Sequence, residues 1–284
     1  MSLGPCEIFE VGPRDGLQNE AREISVADKI ALVDTLSSAG FARIECASFV
    51  SPKWVPQMAG SADVMAGIKR AKGVRYGALT PNMRGYEDAM AAGVDEIAVF
   101  GSASEGFSQK NINASIAESL ERFAPILEQA RHLDVPVRGY VSCVVACPYD
   151  GVVEPAAVAE VADKLFAMGC YEISLGDTIG AGTPDSIARM LLAVRDVVPA
   201  GRLAGHYHDT HGRAMDMIDA SLSMGVRVFD GAVGGLGGCP YAPGAAGNAA
   251  TEAVNTHLVA LGYETGLDQS VLEQAASMAR ALRS

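Results

Sequence analysis

Two histidines separated by one residue, His206 and His208, are the residues of this sequence with the clearest chemical use. They lie in a short apolar run that predicts a β-strand, and alternate residues of a strand project to the same face. Both imidazoles can therefore approach one point, and neutral imidazole is a common metal ligand. Two hydrogen-bonded core histidines would give the same pattern. The position of the pair at the end of a strand favours a metal site.

A second reactive group is the pair Arg14 and Asp15, in the segment GPRDGLQNE. Asp15 can supply a hard oxygen ligand to a metal, although an aspartate in this position could also cap the following helix. Arg14 is a fixed planar cation suited to an oxyanion or a carboxylate, and its alternative role is a surface salt bridge. Gly12 and Gly16 are expected to adopt backbone conformations that a branched residue could not.

A glycine-rich segment, GGLGGCPYAPGAAGNAATE, carries the thiol of Cys239 in its middle. Its glycines at positions 234, 235, 237 and 238 predict hinges for a loop that closes over a site. A solvent loop without function is the alternative, but such a loop would not need a cysteine. Asn248 ends the segment, where it could be a helix N-cap, a metal ligand through its amide oxygen, or both.

Other polar residues in the sequence could have either a functional or a purely structural role. Glu45 and Asp177 lie at predicted strand ends, where each could orient a neighbour or act as an acid or base, or could simply be a buried acceptor. His132 and His257 fall in helical stretches and are predicted to be surface residues, whereas His211 could be either.

The elements that must position these groups are eight short β-branched or apolar runs. They are CEIFEV, ARIECAS, VRYGAL, DEIAVF, PVRGYVS, YEISL, LAGHYH and RVFDGAV. Amphipathic stretches such as SVADKIALVDTLSSAG and PAAVAEVADKLFAMG separate them, and several end at glycine, as helix C-termini prefer.

Eight βα alternations predict a (β/α)8 TIM barrel rather than an open doubly wound sheet. We expect residues 1–284 to form one domain, with an additional C-terminal helix from about Asp268 to Arg283 packed outside or across one end of the barrel. Catalytic groups of this fold come from the C-terminal ends of strands, where all the polar clusters fall. By strand alternation Tyr207 should point away from the barrel interior.

Composition excludes several classes of function. A net charge of −12 and no basic stripe argue against nucleic-acid binding, so any anionic substrate needs a local positive patch. The sequence contains neither an apolar run long enough for a membrane span nor a segment typical of secretion, which predicts a cytoplasmic protein. Its six cysteines are then expected to be thiols.

Several motifs together identify a resemblance. The segments GPRDGLQNE, SFVSPKWVPQ, YVSCVVACPYDG, SLGDTIGAGTP, HYHDT and GLGGCPYAPGAAGNAATE resemble those of the 3-hydroxy-3-methylglutaryl-CoA (HMG-CoA) lyases, within the wider family of TIM-barrel metallolyases. The likeness runs in order from about Glu10 to the C-terminal helix. The R-D-G and H-x-H motifs are common to the wider family, whereas the cysteine loop is specific to the lyases.

The resemblance implies a divalent cation, Mg²⁺ or Mn²⁺, held by Asp15, His206, His208 and Asn248, although Zn²⁺ is also compatible with these ligands. It implies cleavage of (S)-3-hydroxy-3-methylglutaryl-CoA to acetyl-CoA and acetoacetate, a step of leucine degradation and ketone-body formation.

The catalytic residues implied are Asp15 as the base, with His206 as second choice, and Arg14 at the thioester oxygen. Cys239 would protonate the enolate and Glu45 would orient Arg14 or a water.

Further residues are expected around the acyl-CoA substrate. Gln18, Ser142 and Asp177 are candidates for substrate contacts or for support of the catalytic groups, and Lys53, Lys110 and Asn111 for contacts with the phosphates or pantetheine of CoA. The resemblance also suggests a homodimer.

The sequence is compatible with three rival functions. One is a lyase for a longer 3-hydroxy-3-alkylglutaryl-CoA. Only the shape of the pocket would distinguish it from an HMG-CoA lyase. Another is a Claisen-type synthase on a 2-oxo acid, against which the cysteine loop argues. The last is a non-catalytic barrel that binds metal or CoA, which the joint presence of Arg14, Cys239 and a complete ligand set disfavours.

Overall fold

Eight parallel strands close into a barrel. The computed structural model describes residues 2–237 and 247–283. The barrel strands, all predicted from the sequence, are β1 (Glu7–Glu10), β2 (Arg43–Ser48), β3 (Arg75–Leu79), β4 (Glu96–Ser102), β5 (Val137–Ser142), β6 (Glu172–Asp177), β7 (Leu203–Tyr207) and β8 (Val228–Gly231). Pairing of β1 with β8, from Glu7 opposite Val228 to Glu10 opposite Gly231, closes the barrel. The expected (β/α)8 fold is confirmed.

Helices surround the barrel and connect its strands. They are α1 (Val26–Ser37), α2 (Ser61–Gly67), α3 (Met83–Ala91), α4 (Glu105–Ile112), α5 (Ile116–His132), α6 (Pro155–Met168), α7 (Pro184–Arg195), α8 (Ala214–Ser223), α9 (Thr251–Leu261) and α10 (Gln269–Arg283). Their ends follow local rules: Ser115 and Glu118 form a capping box at the start of α5, and Gly169 ends α6 in the left-handed conformation. No helix among these residues is long and apolar enough to cross a membrane.

The last helix, α10, packs against α1 and α9 and against the 3-10 turn Val233–Gly235 that follows β8. Its buried face consists of Leu272, Ala275, Ala276 and Ala279. A packed position outside the barrel confirms the predicted C-terminal helix. It also fixes the start of the glycine-rich segment, because that turn lies against α10.

A small antiparallel hairpin after β5 was not predicted. It pairs Ala146–Cys147 with Gly151–Val152. The carboxylate of Asp150 holds the hairpin to the start of α4, since it accepts hydrogen bonds from the Ser104 hydroxyl at 2.6 Å and from the Gly106 amide at 2.7 Å. Such a two-residue pairing has no periodicity that a sequence could reveal.

The barrel interior contains charged side chains rather than the branched apolar layers usual for this fold. Arg43 bonds Glu172 at 3.1 Å, Glu172 accepts from Nε of Arg138 at 2.7 Å, and Arg138 bonds Asp230 at 2.6 Å through NH2. All four are buried. Removing one member of such a chain would leave a buried charge unpaired, which costs about 3–5 kcal/mol. The apolar core lies instead between the strands and the helices.

Candidate metal centre and catalytic cavity

Asp15 is presented by a tight turn directly after β1. The turn Gly12–Gly16 is a single π-helical turn in which the Val11 carbonyl accepts from the amides of Arg14 (3.2 Å) and Asp15 (2.7 Å). Gly12 and Gly16 have no positive φ, so the predicted reason for these glycines was wrong. They are required by close approach: a Cβ on Gly16 would lie 2.6 Å from Cβ of Leu236.

The two histidines converge at the end of β7, as predicted. Their ring centroids are 5.5 Å apart. His206 Nδ1 lies 3.0 Å from Oδ2 of Asp230, which directs its Nε2 towards Asp15, with 3.8 Å between Nε2 and Asp15 Oδ2. Tyr207 between them points outward, where its hydroxyl bonds Oγ of Ser221 at 2.7 Å, so strand alternation was predicted correctly.

Asn248 reaches the site because residues 247–250 run beside the ends of β7 and β8. His208 and Asn248 form an isolated antiparallel bridge. Nδ2 of Asn248 donates to Asp15 Oδ2 at 2.8 Å and to the Leu236 carbonyl at 3.3 Å. The alternative role of helix N-cap is wrong, because Ala250 occupies that position in front of α9.

This donor set fits a divalent cation. Asp15, His206 and His208 offer ligand atoms that all lie within 4.8 Å of one another. Nδ1 of His208 is buried and has no hydrogen-bond partner among the described residues. Burial, followed by the neighbouring His206, lowers the pKa of His208 to about 4, so this imidazole is neutral at pH 7 and able to bind a metal.

The charge of Asp15 also suits a cation site. Burial would raise the pKa of Asp15, but Arg14, then His206, and the hydrogen bond from Asn248 outweigh it and lower the pKa to about 2. Asp15 is therefore a carboxylate at neutral pH. A mixed set of oxygen and imidazole donors is compatible with several divalent metals.

Arg14 is fixed beside this cluster by two carboxylates. Its NH1 bonds Asp15 Oδ1 at 2.6 Å and its Nε bonds Glu45 Oε2 at 2.5 Å. Its guanidinium also lies over the ring of Tyr140, 5.4 Å from the centroid, and the Tyr140 hydroxyl donates to Glu45. Glu45 thus contacts Arg14, one of the two groups that it was expected to orient. Burial raises the pKa of Glu45, and its Oε1 is buried without a partner among the described residues.

A cavity of about 780 Å³ at the C-terminal mouth of the barrel is lined by Arg14, Asp15, Tyr140, His206, His208 and Asn248. Four other predicted residues also line it: Gln18, Ser142, Lys110 and Asn111.

Three predicted residues in the described part of the chain do not line the cavity. Glu45 is buried and bonds Arg14. Lys53 is exposed next to the lining residue Trp54. Asp177 instead accepts from the amides of Ala181 (3.1 Å) and Gly182 (2.7 Å) and so shapes the loop after β6, which favours its reading as a buried acceptor.

The remaining histidines and cysteines are placed as follows. His132 and His211 are exposed, and His257 pairs with Asp219 at 2.7 Å on the outside of the molecule. Cys46 and Cys170 are buried in or beside strands. Cys239 lies outside the described residues, so its place in the site stays a prediction.

Three residues of the site were missed from the sequence: Tyr140, Arg138 and Asp230. A signal for them existed, because Arg138 and Tyr140 alternate on β5, and Asp230 interrupts the apolar run of β8. Charged residues at alternate positions of a barrel strand face the interior, where a buried charge requires a partner.

Residues 6–279 match the HMGL-like family. The chain belongs to this family. A curated relative from Pseudomonas aeruginosa, named 3-hydroxy-3-isohexenylglutaryl-CoA/hydroxy-methylglutaryl-CoA lyase, is 60% identical over 268 residues, which cover 94% of this chain and 89% of the relative.

Solved structures of the family have the same fold. The HMG-CoA lyase of Brucella melitensis superposes with a TM-score of 0.98 at 61% identity, with 99% of each chain covered. An HMG-CoA lyase from Acinetobacter baumannii, in complex with coenzyme A and 3-methylmalate, has a TM-score of 0.93 at 35% identity and covers 98% of this chain and 91% of its own. The resemblance drawn from the motifs is therefore confirmed.

Proposed function

We propose that this member of the HMGL-like family is a carbon–carbon lyase that cleaves (S)-3-hydroxy-3-methylglutaryl-CoA to acetyl-CoA and acetoacetate. The observation that carries the proposal is the grouping of Arg14 with Asp15, His206 and His208 on one wall of the cavity. Relatives that are 54–60% identical are named as lyases of this substrate, which supports the same activity here.

Asp15, His206, His208 and Asn248 would hold the cation. In the described part of the chain both hydrogens of Asn248 Nδ2 are used by oxygen acceptors, which frees its Oδ1 to be a ligand. Mg²⁺ and Mn²⁺ are the preferred metals because hard oxygens contribute half of this set. A bound cation would supply positive charge that lowers the pKa of the substrate hydroxyl.

The base that takes the C3 hydroxyl proton is chosen between Asp15 and His206. Nδ1 of His206 is engaged by Asp230, and its Nε2 faces the proposed metal. A His206 that is a ligand has no nitrogen left to accept a proton. Asp15 is therefore the preferred base, although its lowered pKa makes it a weak one.

Arg14 is assigned to the thioester oxygen. As the C2–C3 bond breaks, its electron pair moves into the acetyl fragment and forms an enolate with charge on that oxygen. Arg14 is held by Glu45 and Asp15 before the reaction, so it needs no reorientation. The enolate carbon then gains a proton from Cys239, while the C3 oxygen becomes the ketone of acetoacetate.

The CoA portion is proposed to lie along the same cavity, with Lys110 and Asn111 near its phosphates or pantetheine. Both residues lie on α4 and face the cavity. Lys53 is a weaker candidate because it lies outside the cavity lining. One domain over residues 1–284, a homodimer and a cytoplasmic location stay predictions.

The deciding experiment is incubation of the purified protein and Mn²⁺ with (S)-3-hydroxy-3-methylglutaryl-CoA while acetoacetate is measured. We expect turnover that chelation abolishes and Mn²⁺ restores. Arg14→Gln is the control that should remove turnover in the folded protein. Absence of product above the Arg14→Gln background would overturn the proposal.

A further inference from the structure

Trp54, the only tryptophan of the chain, has an unusual environment: its side chain is 84% exposed. Large aromatic side chains bury 150–250 Å² in most folded proteins and rarely stay in water without a partner. Among the described residues no hydrogen bond, ring contact or cation–π contact involves its indole. The described part of the fold therefore gives no reason for a tryptophan at this position.

The backbone that carries this exposed ring is held by hydrogen bonds and by two prolines. Trp54 follows β2, in the loop where its amide and that of Val55 both bond the Ser51 carbonyl, at 2.9 and 3.1 Å. Pro52 lies within this turn and Pro56 begins the next 3-10 turn. Prolines restrict the backbone on both sides, so little backbone entropy remains to be lost when the indole binds a ligand.

Trp54 lines the cavity that contains the proposed active site. The catalytic groups Arg14 and His206 are buried, whereas Trp54 is exposed, so it belongs to the mouth. Lys110 and Arg122, also exposed, line the same cavity, and Lys53 precedes the tryptophan. A flat apolar ring that shares its cavity with two cations, on a protein of net charge −12, offers a local surface for a planar ligand that carries phosphates.

We propose that Trp54 stacks on the adenine ring of the CoA portion of the substrate. This inference rests on the proposed function, since it requires a CoA thioester. With the acyl group bound among the buried catalytic residues, the narrow pantetheine occupies the depth of the cavity and the nucleotide remains at its mouth. Every base has a π-face, and stacking on an aromatic side chain contributes about 1–3 kcal/mol.

The first test uses the single tryptophan as its own probe. CoA should quench the fluorescence of the metal-loaded protein with saturation, and 4′-phosphopantetheine, which lacks adenine, should not. Adenosine 3′,5′-bisphosphate should quench at higher concentration. Equal quenching by CoA and 4′-phosphopantetheine, or no quenching by saturating CoA, would overturn the stacking.

The second test separates adenine recognition from general damage. For Trp54→Ala we expect KM for the CoA thioester to rise about tenfold relative to KM for the corresponding pantetheine thioester, which corresponds to about 1.4 kcal/mol. Trp54→Phe should recover most of that ratio. Leu133→Ala, an exposed apolar change at the other end of the barrel, is the matched control and should not change it.

These outcomes distinguish the two proposals. A wild-type protein that cleaves neither thioester refutes the proposed function, whereas active wild type with an unchanged KM ratio in Trp54→Ala refutes only the stacking. A change of oligomeric state in Trp54→Ala, measured by sedimentation, with an unchanged KM ratio would assign Trp54 to an interface between copies and also overturn the inference.

Discussion

Nδ1 of His206 and Oδ2 of Asp230 lie 3.0 Å apart, and Asp230 is in turn held by the guanidinium of Arg138 through bonds of 2.6 and 3.0 Å. The contact fixes the tautomer of His206. Its Nδ1–H donates a hydrogen bond to the carboxylate of Asp230, so the lone pair of the ring is on Nε2. Interior charges of the barrel are thereby coupled to the orientation of a proposed metal ligand.

Asp230→Asn should weaken Mn²⁺ binding about 10–100-fold, because loss of the carboxylate removes the charge that fixes His206. Isothermal titration of the metal-free protein measures the affinity. Asp219→Asn is the matched control, since Asp219 also contacts a histidine, His257, but on the outside of the molecule. Equal Mn²⁺ affinity in Asp230→Asn and wild type would contradict the positioning role, and thermal unfolding checks that the variant is folded.

His208→Ala and Arg14→Gln should separate metal binding from catalysis. His208 offers a neutral nitrogen within the cluster, so its removal should lower Mn²⁺ affinity by at least about tenfold. Arg14→Gln should remove turnover while metal affinity stays nearly intact, because Arg14 contacts Asp15 but offers no ligand atom. If both variants lost metal to the same degree, Arg14 would be a support of the metal site rather than a catalytic residue.

Glu10→Gln should change how stability depends on pH. Burial raises the pKa of Glu10 to about 7, more than its hydrogen bonds from Thr251, Val233 and Gly12 lower it. The folded state then holds this proton more tightly than the unfolded state. Protonated Glu10 therefore contributes fully to the free energy of unfolding below about pH 4.5. As the pH rises towards 7, the free energy of unfolding falls by about 3 kcal/mol.

The measurement for Glu10 is the unfolding midpoint between pH 4.5 and 8. The Glu10→Gln profile should fall less steeply with rising pH than that of wild type. Glu128→Gln, an exposed change on α5, is the control and should follow wild type. Parallel profiles for Glu10→Gln and wild type would show that Glu10 does not titrate in this range.

Cys239→Ser should lower kcat by orders of magnitude with little change in KM or metal affinity, because a hydroxyl is a much weaker acid than a thiol. Alkylation should inactivate the enzyme, and a bound product should slow that inactivation. Cys170 should react slowly, since burial raises its pKa to about 12. Near-normal turnover by Cys239→Ser would assign the enolate proton to water or another group.

The sequence determined the parts of this protein that depend on local rules. Strand periodicity located all eight barrel strands, and the spacing of His206 and His208 placed both imidazoles on one face. The position of Arg14 and Asp15 directly after a strand placed them at the barrel mouth. Each of these inferences needs only the geometry of one strand or turn, which neighbouring residues specify.

Contacts between distant residues were decided by the tertiary structure alone. Asp15 and Asn248 are 233 positions apart and meet at 2.8 Å because residues 247–250 run beside the ends of β7 and β8. The link from Arg138 through Asp230 to His206 joins β5, β8 and β7 across the barrel interior. Such contacts depend on the register and closure of all eight strands, and no local pattern specifies either.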